Sequence, residues 1–335
     1  MLLFLNESTE PYFNMACEEY LLSTLRCPAV MLWRNAPAVI IGKNQNAREN
    51  VDFEFAEAHG IKVVRRLTGG GAVFHDLGNV NYTFIVPKSD APCDFRAFSE
   101  PIIEALASLG ISAECSGRND LLADGRKFSG TARCEYASHF GTLVMHHGTL
   151  LFNADISRLT GALKVDPEKI RSKGIKSTAS RVVNLSSLLP SPMSVSDFMA
   201  HLSRFFIARG AEKREFSESD REKISALAKE KYSSPAWIFR AGAEDFDISR
   251  EKRFPFGSVR VSVSCSASEV GTSPVIARAS LEGDFFGDRD KSVVESALVG
   301  AEFTRSGVLS ALADVDVGAC VRGADADTVA ELLFG

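Results

Sequence analysis

Hydrophobic and polar positions along this chain switch between two periods, and the switches mark its elements. Apolar residues at 13, 16, 17, 20, 21 and 25 recur at helical spacing and predict a helix over 13–25. The opening residues 1–7 and the apolar runs 30–33 and 38–42, the last two joined through Pro37, read as strands. A short helix over 53–59 should stop at Gly60. Strands are expected at 61–64, 72–74 and 79–86, the last ended by Pro87, then a helix over 95–109 and a strand over 111–115. Asp124-Gly125 between the runs 121–123 and 126–129 is a strong signal for a two-residue hairpin turn. Residues 139–153 supply further strand.

Two more helices fit 197–209 and 220–231, with Ser219-Asp220-Arg221-Glu222 as a capping box for the second. The pattern changes after Pro235. Val259, Val261, Val263 and Cys265 alternate with polar residues and should pair with 275–281, and helices fit 291–298 and 307–312. The fold class expected is α/β (α+β) with mixed β-sheets. The domains expected are 1–242 and a small α+β domain at 243–335.

Composition narrows the function. At 335 residues with 45% hydrophobic content the chain can bury a proper core. A net charge of −5 and a pI near 5.8 argue against a general nucleic-acid binder. No apolar stretch approaches the ~18–20 residues of a membrane span. The N-terminus lacks the basic leader and cleavage site of a signal peptide. Seven scattered cysteines without a Cys-x-x-Cys pair suit a reducing cytoplasm and give no structural zinc site.

The richest chemistry lies in Arg65-Arg66-Leu67-Thr68-Gly69-Gly70-Gly71-Ala72-Val73-Phe74-His75-Asp76. Backbone N–H groups in such a turn can converge on an anion, and adjacent arginines add charge-assisted hydrogen bonds. A tight hairpin with surface arginines is the alternative. The dinucleotide fingerprint fails at Phe74, and neither a phosphate loop nor a Gly-x-Ser-x-Gly elbow occurs. Lys127, on the return strand of the hairpin before Ser129-Gly130-Thr131-Ala132, either projects into a cleft or is a solvated strand lysine. His147 either lines the same cleft or packs in the core. Asp76 and Asp120 either position Mg²⁺ through waters or make local turn bonds. Residues 164–181 form a basic, glycine-containing stretch of a kind that is functional or disordered.

Taken together, these segments resemble the lipoate–protein ligase family. The run Arg65 to Asn79 is similar to that family's R-R-x-S-G-G-G-A-V-x-H-D-x-G-N signature. So are Gly117-Arg118-Asn119-Asp120-Leu121 with Gly125 to Ala132, His146 to Asp155, and Lys173-Gly174-Ile175-Lys176-Ser177 with Ser180 to Leu185. Four motifs in the family's order cover most of residues 10–190, and the tail from Trp237 through Phe286 is similar to the accessory C-terminal domain of long-form bacterial ligases.

The resemblance implies a biotin/lipoate ligase-like catalytic domain. It implies activation of lipoate with ATP and Mg²⁺ to lipoyl-AMP, then transfer to a lysine of a lipoyl domain of a 2-oxoacid dehydrogenase or of glycine-cleavage H protein. It places Arg66, Gly71, Ala72, Val73, Phe74 and Lys127 on ATP, with Lys127 catalytic. It also puts Lys127 at the lipoyl carboxyl end. Beside that carry-over, Gly70, Trp33 and His147 are candidates for lipoate contact, with core packing the alternative for Trp33. Asp120 is a candidate for Mg²⁺, and the basic stretch with Lys173, Lys176 and Arg181 is either a lid over the adenylate or a solvated surface. A cytoplasmic monomer that uses lipoate or octanoate is expected. Thr68, Phe128 and Thr131 depart from the family pattern and bear on acyl-chain preference. Two alternatives stand beside this: an octanoyl or lipoyl acyltransferase working through a Cys115 thioester, and a non-catalytic lipoate- or adenylate-binding protein.

Overall fold

The computed structural model describes residues 1–91, 95–116, 119–155, 161–164, 181–240, 246–266 and 273–335. Two compact units form. The first takes residues 1–41, 48–66 and 73–238, and the second takes 42–47, 67–72 and 239–335.

In the first unit the order is β1 (Leu2–Leu5), α1 (Pro11–Thr24), β2 (Ala29–Arg34), β3 (Ala38–Ile41), α2 (Phe53–Ala58), β4 (Lys62–Arg65), β5 (Val73–His75) and β6 (Asn79–Pro87). There follow α3 (Phe95–Ala107), β7 (Ala113–Ser116), β8 (Asp120–Ala123), β9 (Arg126–Ser138), β10 (Gly141–Leu151), α4 (Val195–Ala208), β11 (Glu212–Arg214) and α5 (Glu218–Leu227). Eight strands make one mixed sheet in the order β11-β1-β2-β6-β10-β9-β8-β7. β1 runs parallel to both β2 and β11, and α1 is the crossover that a parallel β1–β2 pair needs. From β2 to β7 every neighbour is antiparallel. The β8–β9 turn is the one anticipated: Asp124 and Gly125 have φ of 50° and 68°, as a type I′ turn requires.

A second, three-stranded sheet has the order β4-β3-β5, with β4 parallel and β5 antiparallel to β3. The strands before and after the triple glycine therefore lie on opposite sides of β3. This disposes of the hairpin alternative, since a hairpin needs its two strands to be neighbours.

Two sequence expectations need correction. The buried face of α1 carries Asn14 and Glu18 as well as Met15, Ala16, Cys17, Leu21 and Leu22, whereas Tyr20 is only half-buried and donates to Asp220. The helix is turned so that two polar side chains enter the interior, where partners wait for them. The capping box also lies two residues earlier than expected. Ser217 Oγ accepts from Asp220 N–H (3.2 Å) and Asp220 Oδ2 accepts from Ser217 N–H (2.9 Å), so α5 starts at Glu218. It passes into a π-helical turn at Ala228–Tyr232.

The second unit contains an antiparallel sheet of β12 (Ile248–Phe254), β13 (Gly257–Ser266) and β14 (Val275–Gly283). It adds α6 (Ser292–Leu298), α7 (Arg305–Ala311), α8 (Val317–Cys320) and α9 (Ala326–Phe334). Val259, Val261, Val263, Leu281 and Phe285 pack with Val294, Leu298, Val308 and Leu333 in its core. β12 escaped the sequence reading because Arg250, Glu251, Lys252 and Arg253 face solvent and leave no apolar alternation.

The relocated cap is testable. Ser217→Ala should lower stability by about 1 kcal/mol, the usual cost of losing an N-cap side chain, while Ser219→Ala should leave it almost unchanged. Equal shifts of the urea midpoint for the two variants would return the cap to Ser219.

Candidate active site

The glycine turn follows two adjacent arginines that do different work. Arg65, fully buried at the end of β4, directs its guanidinium to backbone: Nε donates to the carbonyls of Trp237 (2.9 Å) and Ile238 (3.1 Å). Trp237 Nε1 returns a hydrogen bond to the Arg65 carbonyl (3.0 Å). Arg65 thus ties the end of β4 to the segment after α5. Arg66, 6% exposed, donates from Nη1 to the Ile40 carbonyl (3.0 Å). Burial pulls its guanidinium down to about 10, against the opposing charge of Glu18, and it stays cationic at neutral pH.

Glu18 is the centre of a buried polar chain in the first unit. Its Oε1 accepts from Thr83 Oγ1 (2.7 Å) and from His147 Nδ1 (2.8 Å), while Trp33 Nε1 donates to Thr83 Oγ1 (2.9 Å). The order is indole, hydroxyl, carboxylate, imidazole. It fixes His147 as the Nδ1–H donor and holds the Trp33 ring at the β2–β6 pairing Trp33↔Asn81. His75 lies edge-on to Trp33 (6.0 Å between centroids) and accepts at Nδ1 from Asn35 Nδ2 (3.1 Å). Burial, then the charges of Arg66 and His147, push His75 down to about 3, so it is neutral at physiological pH. The structure thus brings Trp33, His75 and His147 into one region of the first unit, together with Glu18 and Thr83, which sequence reading missed. The available signal was the i, i+4 spacing of Asn14 and Glu18 beside the apolar stripe of α1.

Lys127 occupies β9 opposite Leu122, next to a register shift between Leu121 and Leu122. Its ammonium binds Asp120 Oδ1 (2.7 Å), and both side chains are a little over one-third exposed. The lysine folds back across Gly130, where an added Cβ would come within 3.2 Å of Nζ. Asp120 is thus the counter-ion of Lys127. Asp76 makes turn bonds, accepting from Gly78 N–H (2.8 Å), Asn79 N–H (3.1 Å) and Asp155 N–H (2.7 Å). Among the described residues no three His, Cys, Asp or Glu side chains converge as a metal site. A Mg²⁺ ion carried on a polyphosphate needs only one or two protein carboxylates, so Asp120 fits that limited role.

The three glycines divide in the second unit. Gly69 is in close contact with the Phe285 carbonyl, where any Cβ would collide. Gly70 has φ of 90° and donates its N–H to that carbonyl at 3.1 Å. At Gly71 a Cβ would meet nothing within 4 Å. Ala72 continues from this open position, and Val73 and Phe74 begin β5. Of the basic stretch, Lys173 and Lys176 lie outside the described residues. Arg181 is exposed, and Val182 beyond it bridges to Lys127.

Residues 10–207 match the model of the lipoyl protein ligase A/B catalytic domain, and residues 243–333 match that of the bacterial lipoate protein ligase C-terminus. The chain belongs to the lipoyl protein ligase A/B family. It is 38% identical over 315 residues to lipoate–protein ligase LplJ of Bacillus subtilis, covering 92% of each chain. It is 37% identical to lipoate–protein ligase 1 of Staphylococcus aureus, covering 93% of each. A crystal structure of lipoate–protein ligase A bound with ATP superposes with a TM-score of 0.60 at 26% identity, over 71% of this chain and 98% of that one. The chain is accordingly an enzyme of the ligase type.

Family membership bears on the cysteine alternative. Cys115 sits in β7 opposite Leu121 and packs against the main apolar core with Phe128 and Leu121. No helix among the described residues is long and apolar enough to cross a membrane.

Two buried imidazoles make stability sensitive to acid. His146 is fully buried against Phe98 (4.7 Å between centroids, planes 2° apart). Burial, with His147 and Arg133 nearby, holds it well below its ordinary value, in the same direction as His75. Below pH ~6.5 the unfolded chain binds protons that the native rings refuse, so stability is full above that pH and falls on acidification. His146→Phe, which loses no hydrogen bond found among the described residues, should flatten the decline between pH 6.5 and 4 in thermal unfolding. A decline identical to that of the wild type would show that His146 is not its source.

Proposed function

We propose that this chain is an ATP-dependent lipoate–protein ligase, and that its residues divide the chemistry as follows. The lipoate carboxylate attacks the α-phosphorus of ATP; an O–P bond forms, the α–β anhydride breaks, and pyrophosphate leaves with the bonding electrons. A lysine amine of an acceptor protein then attacks the acyl carbon, AMP leaves, and the amine gives up a proton. The first step joins two anions, and its difficulty is charge. Lys127 supplies the ammonium between carboxylate and α-phosphate, and Asp120 holds that ammonium in place until substrate arrives. Arg66 and the backbone of Gly71, Ala72, Val73 and Phe74 donate to the phosphates. Donors fixed in advance stabilise developing charge without reorganising, which is the largest single source of catalysis in many enzymes.

The acyl chain is apolar and lies against Trp33, with His147 and Gly70 also meeting lipoate. Thr83 and Glu18 lock the first two side chains, so that the acyl chain meets one arrangement of the wall. Asp120 is the side chain that would hold a Mg²⁺ ion accompanying ATP, and the ion would supply positive charge to the phosphates. Lys173, Lys176 and Arg181 cover the adenylate. The catalytic domain is residues 1–242 and the accessory domain 243–335. The acceptors are lipoyl domains of 2-oxoacid dehydrogenases and glycine-cleavage H protein, octanoate is an alternative acyl donor, and the enzyme works as a cytoplasmic monomer.

The observation that carries the ligase reading over acyl transfer is the pairing of Lys127 and its counter-ion with a chain that also has the ligase-type C-terminal region at 243–333. Purified protein with ATP, Mg²⁺ and lipoate should release pyrophosphate only when lipoate is present, and should then add the lipoyl mass to an apo lipoyl domain. Lys127→Ala should slow pyrophosphate release by about 10²–10³, the usual cost of losing one donor to the transition state. Its stability should change by no more than about 1 kcal/mol, because the ion pair with Asp120 is part-exposed. Wild-type turnover in Lys127→Ala would remove that residue from the site. Full ligation by Cys115→Ser would eliminate the thioester route.

A further inference from the structure

The glycine turn 67–72 and the segment 42–47 come early in the sequence, yet both fold into the second unit. Lys43 is the hub that holds them there. Its N–H donates to the Thr68 carbonyl (2.8 Å), its carbonyl accepts from Arg240 Nη1 (3.1 Å), and its ammonium binds Asp290 Oδ2 (2.5 Å). One residue on, the Asn44 carbonyl accepts from Gly283 N–H at 2.9 Å, and Asn46 Nδ2 lies 3.5 Å from Glu282 Oε2. The segment Glu282–Asp290 therefore grips the early segments at both ends, with the Phe285 carbonyl on Gly70 N–H between them.

Asp290 is itself fixed. Its Oδ1 accepts from Ser292 N–H (3.0 Å) and its carbonyl accepts from Cys320 Sγ–H (3.3 Å). Burial pushes its carboxyl up, but the bonds from Lys43 and Ser292 outweigh this and hold it well below the usual carboxylate range.

We infer that Lys43 and Asp290 are positioning residues for the nucleotide step: with the Phe285 carbonyl, their ion pair sets the conformation of the glycine turn whose Gly71 and Ala72 backbone meets ATP. The inference rests on the ligase reading above. The geometry gives it a direct route. Lys43 is bonded through its main chain to Thr68, two residues before Gly70. A shift of Lys43 therefore moves the turn. The ammonium is 27% exposed and the carboxylate 41%, so the pair contributes little to global stability. Its effect is on the placement of main-chain donors, and so on how well ATP is held. Gly70 N–H is engaged by protein, so Phe285 acts on the shape of the turn and the nucleotide meets the residues after it.

The test separates ATP from lipoate. Pyrophosphate release is measured against ATP concentration for wild type, Asp290→Asn and Lys43→Met, and lipoate binding without ATP is measured by calorimetry. The ATP KM should rise about three- to tenfold in both variants, with kcat and the lipoate Kd within about twofold of wild type. Asp290→Glu should recover most of the ATP KM, and the double variant should be no worse than the poorer single one, because both changes break one link. Gly69→Ala, which forces Phe285 away from the turn, should raise the ATP KM further.

An unchanged ATP KM in Asp290→Asn and Lys43→Met overturns the proposal, as does a loss of lipoate affinity in parallel with ATP. If Asp290→Asn fails to fold, the reversed pair Lys43→Asp/Asp290→Lys decides. Recovery of the ATP KM supports the proposal, and a folded reversed pair with an unrelated ATP KM overturns it. Should wild type release no pyrophosphate, the ligase reading fails by itself. ATP binding by calorimetry in the same variants then still decides the positioning role, an equal Kd in wild type and variants overturning it.

Discussion

A carboxylate with almost no access to water must be compensated where it stands, and Glu18, 1% exposed, sets that requirement for the first unit. An unpaired buried charge is among the most destabilising features a fold can contain. The compensation comes from three elements: Thr83 on β6, His147 on β10 and the charge of Arg66 after β4. Because α1 brings Glu18 to them, the helix cannot rotate about its axis without stranding the carboxylate. The same requirement turns Asn14 inward, where its Nδ2 donates to the carbonyls of Ser8 and Arg34 and to Asn35 Oδ1. One buried acidic side chain thus specifies the docking angle of the crossover helix, the tautomer of His147 and the setting of Trp33.

The reaction proposed for this fold faces a related difficulty, with the signs of charge exchanged. Carboxylate and polyphosphate repel, and the cations that bring them together must not be neutralised permanently beforehand. Lys127 and Asp120 form a part-exposed pair, a kind that is weak enough for a substrate anion to displace. Arg66 is buried, so its field is poorly screened, and its charge survives because no shift brings it near neutrality. Arg65, adjacent in sequence, is fully engaged with the backbone of residues 237 and 238 and holds the segment after α5 in place. Arg65 ends β4 and Arg66 lies just beyond it, and each has its own buried surroundings.

The glycine turn illustrates how one short sequence answers to several demands. Gly69 is needed because the Phe285 carbonyl approaches too closely for a Cβ, and Gly70 because φ is positive. At Gly71 neither reason applies: φ is not positive there and an added Cβ would meet nothing within 4 Å. The turn is covalently part of the β4–β5 connection but is shaped by the end of β14 and the residues after it.

Much was legible in the sequence because it depended on local physics. The Asp124-Gly125 turn follows from which residues tolerate positive φ, and the strands at 30–33, 79–86 and 259–265 follow from apolar run and alternation. Lys127, Arg66 and the glycine turn are candidates for chemistry because their residue types are expensive or unusual where they occur. Local pattern failed where an element answers to distant partners. The face of α1 was set by acceptors and donors some 20 to 130 residues away, as Asn14–Asn35 and Glu18–His147 show. β12 was invisible because its charged face meets water and pairing to β13 alone makes it a strand. No periodicity could reveal that residues 42–47 and 67–72 belong with 239–335, or that Arg65 binds the backbone of residues 237 and 238 while Arg66 binds that of Ile40. Sequence determines which conformations and charges each residue can supply; only tertiary structure decides which of those charges share a low-dielectric interior, because that depends on distances that the chain closes last.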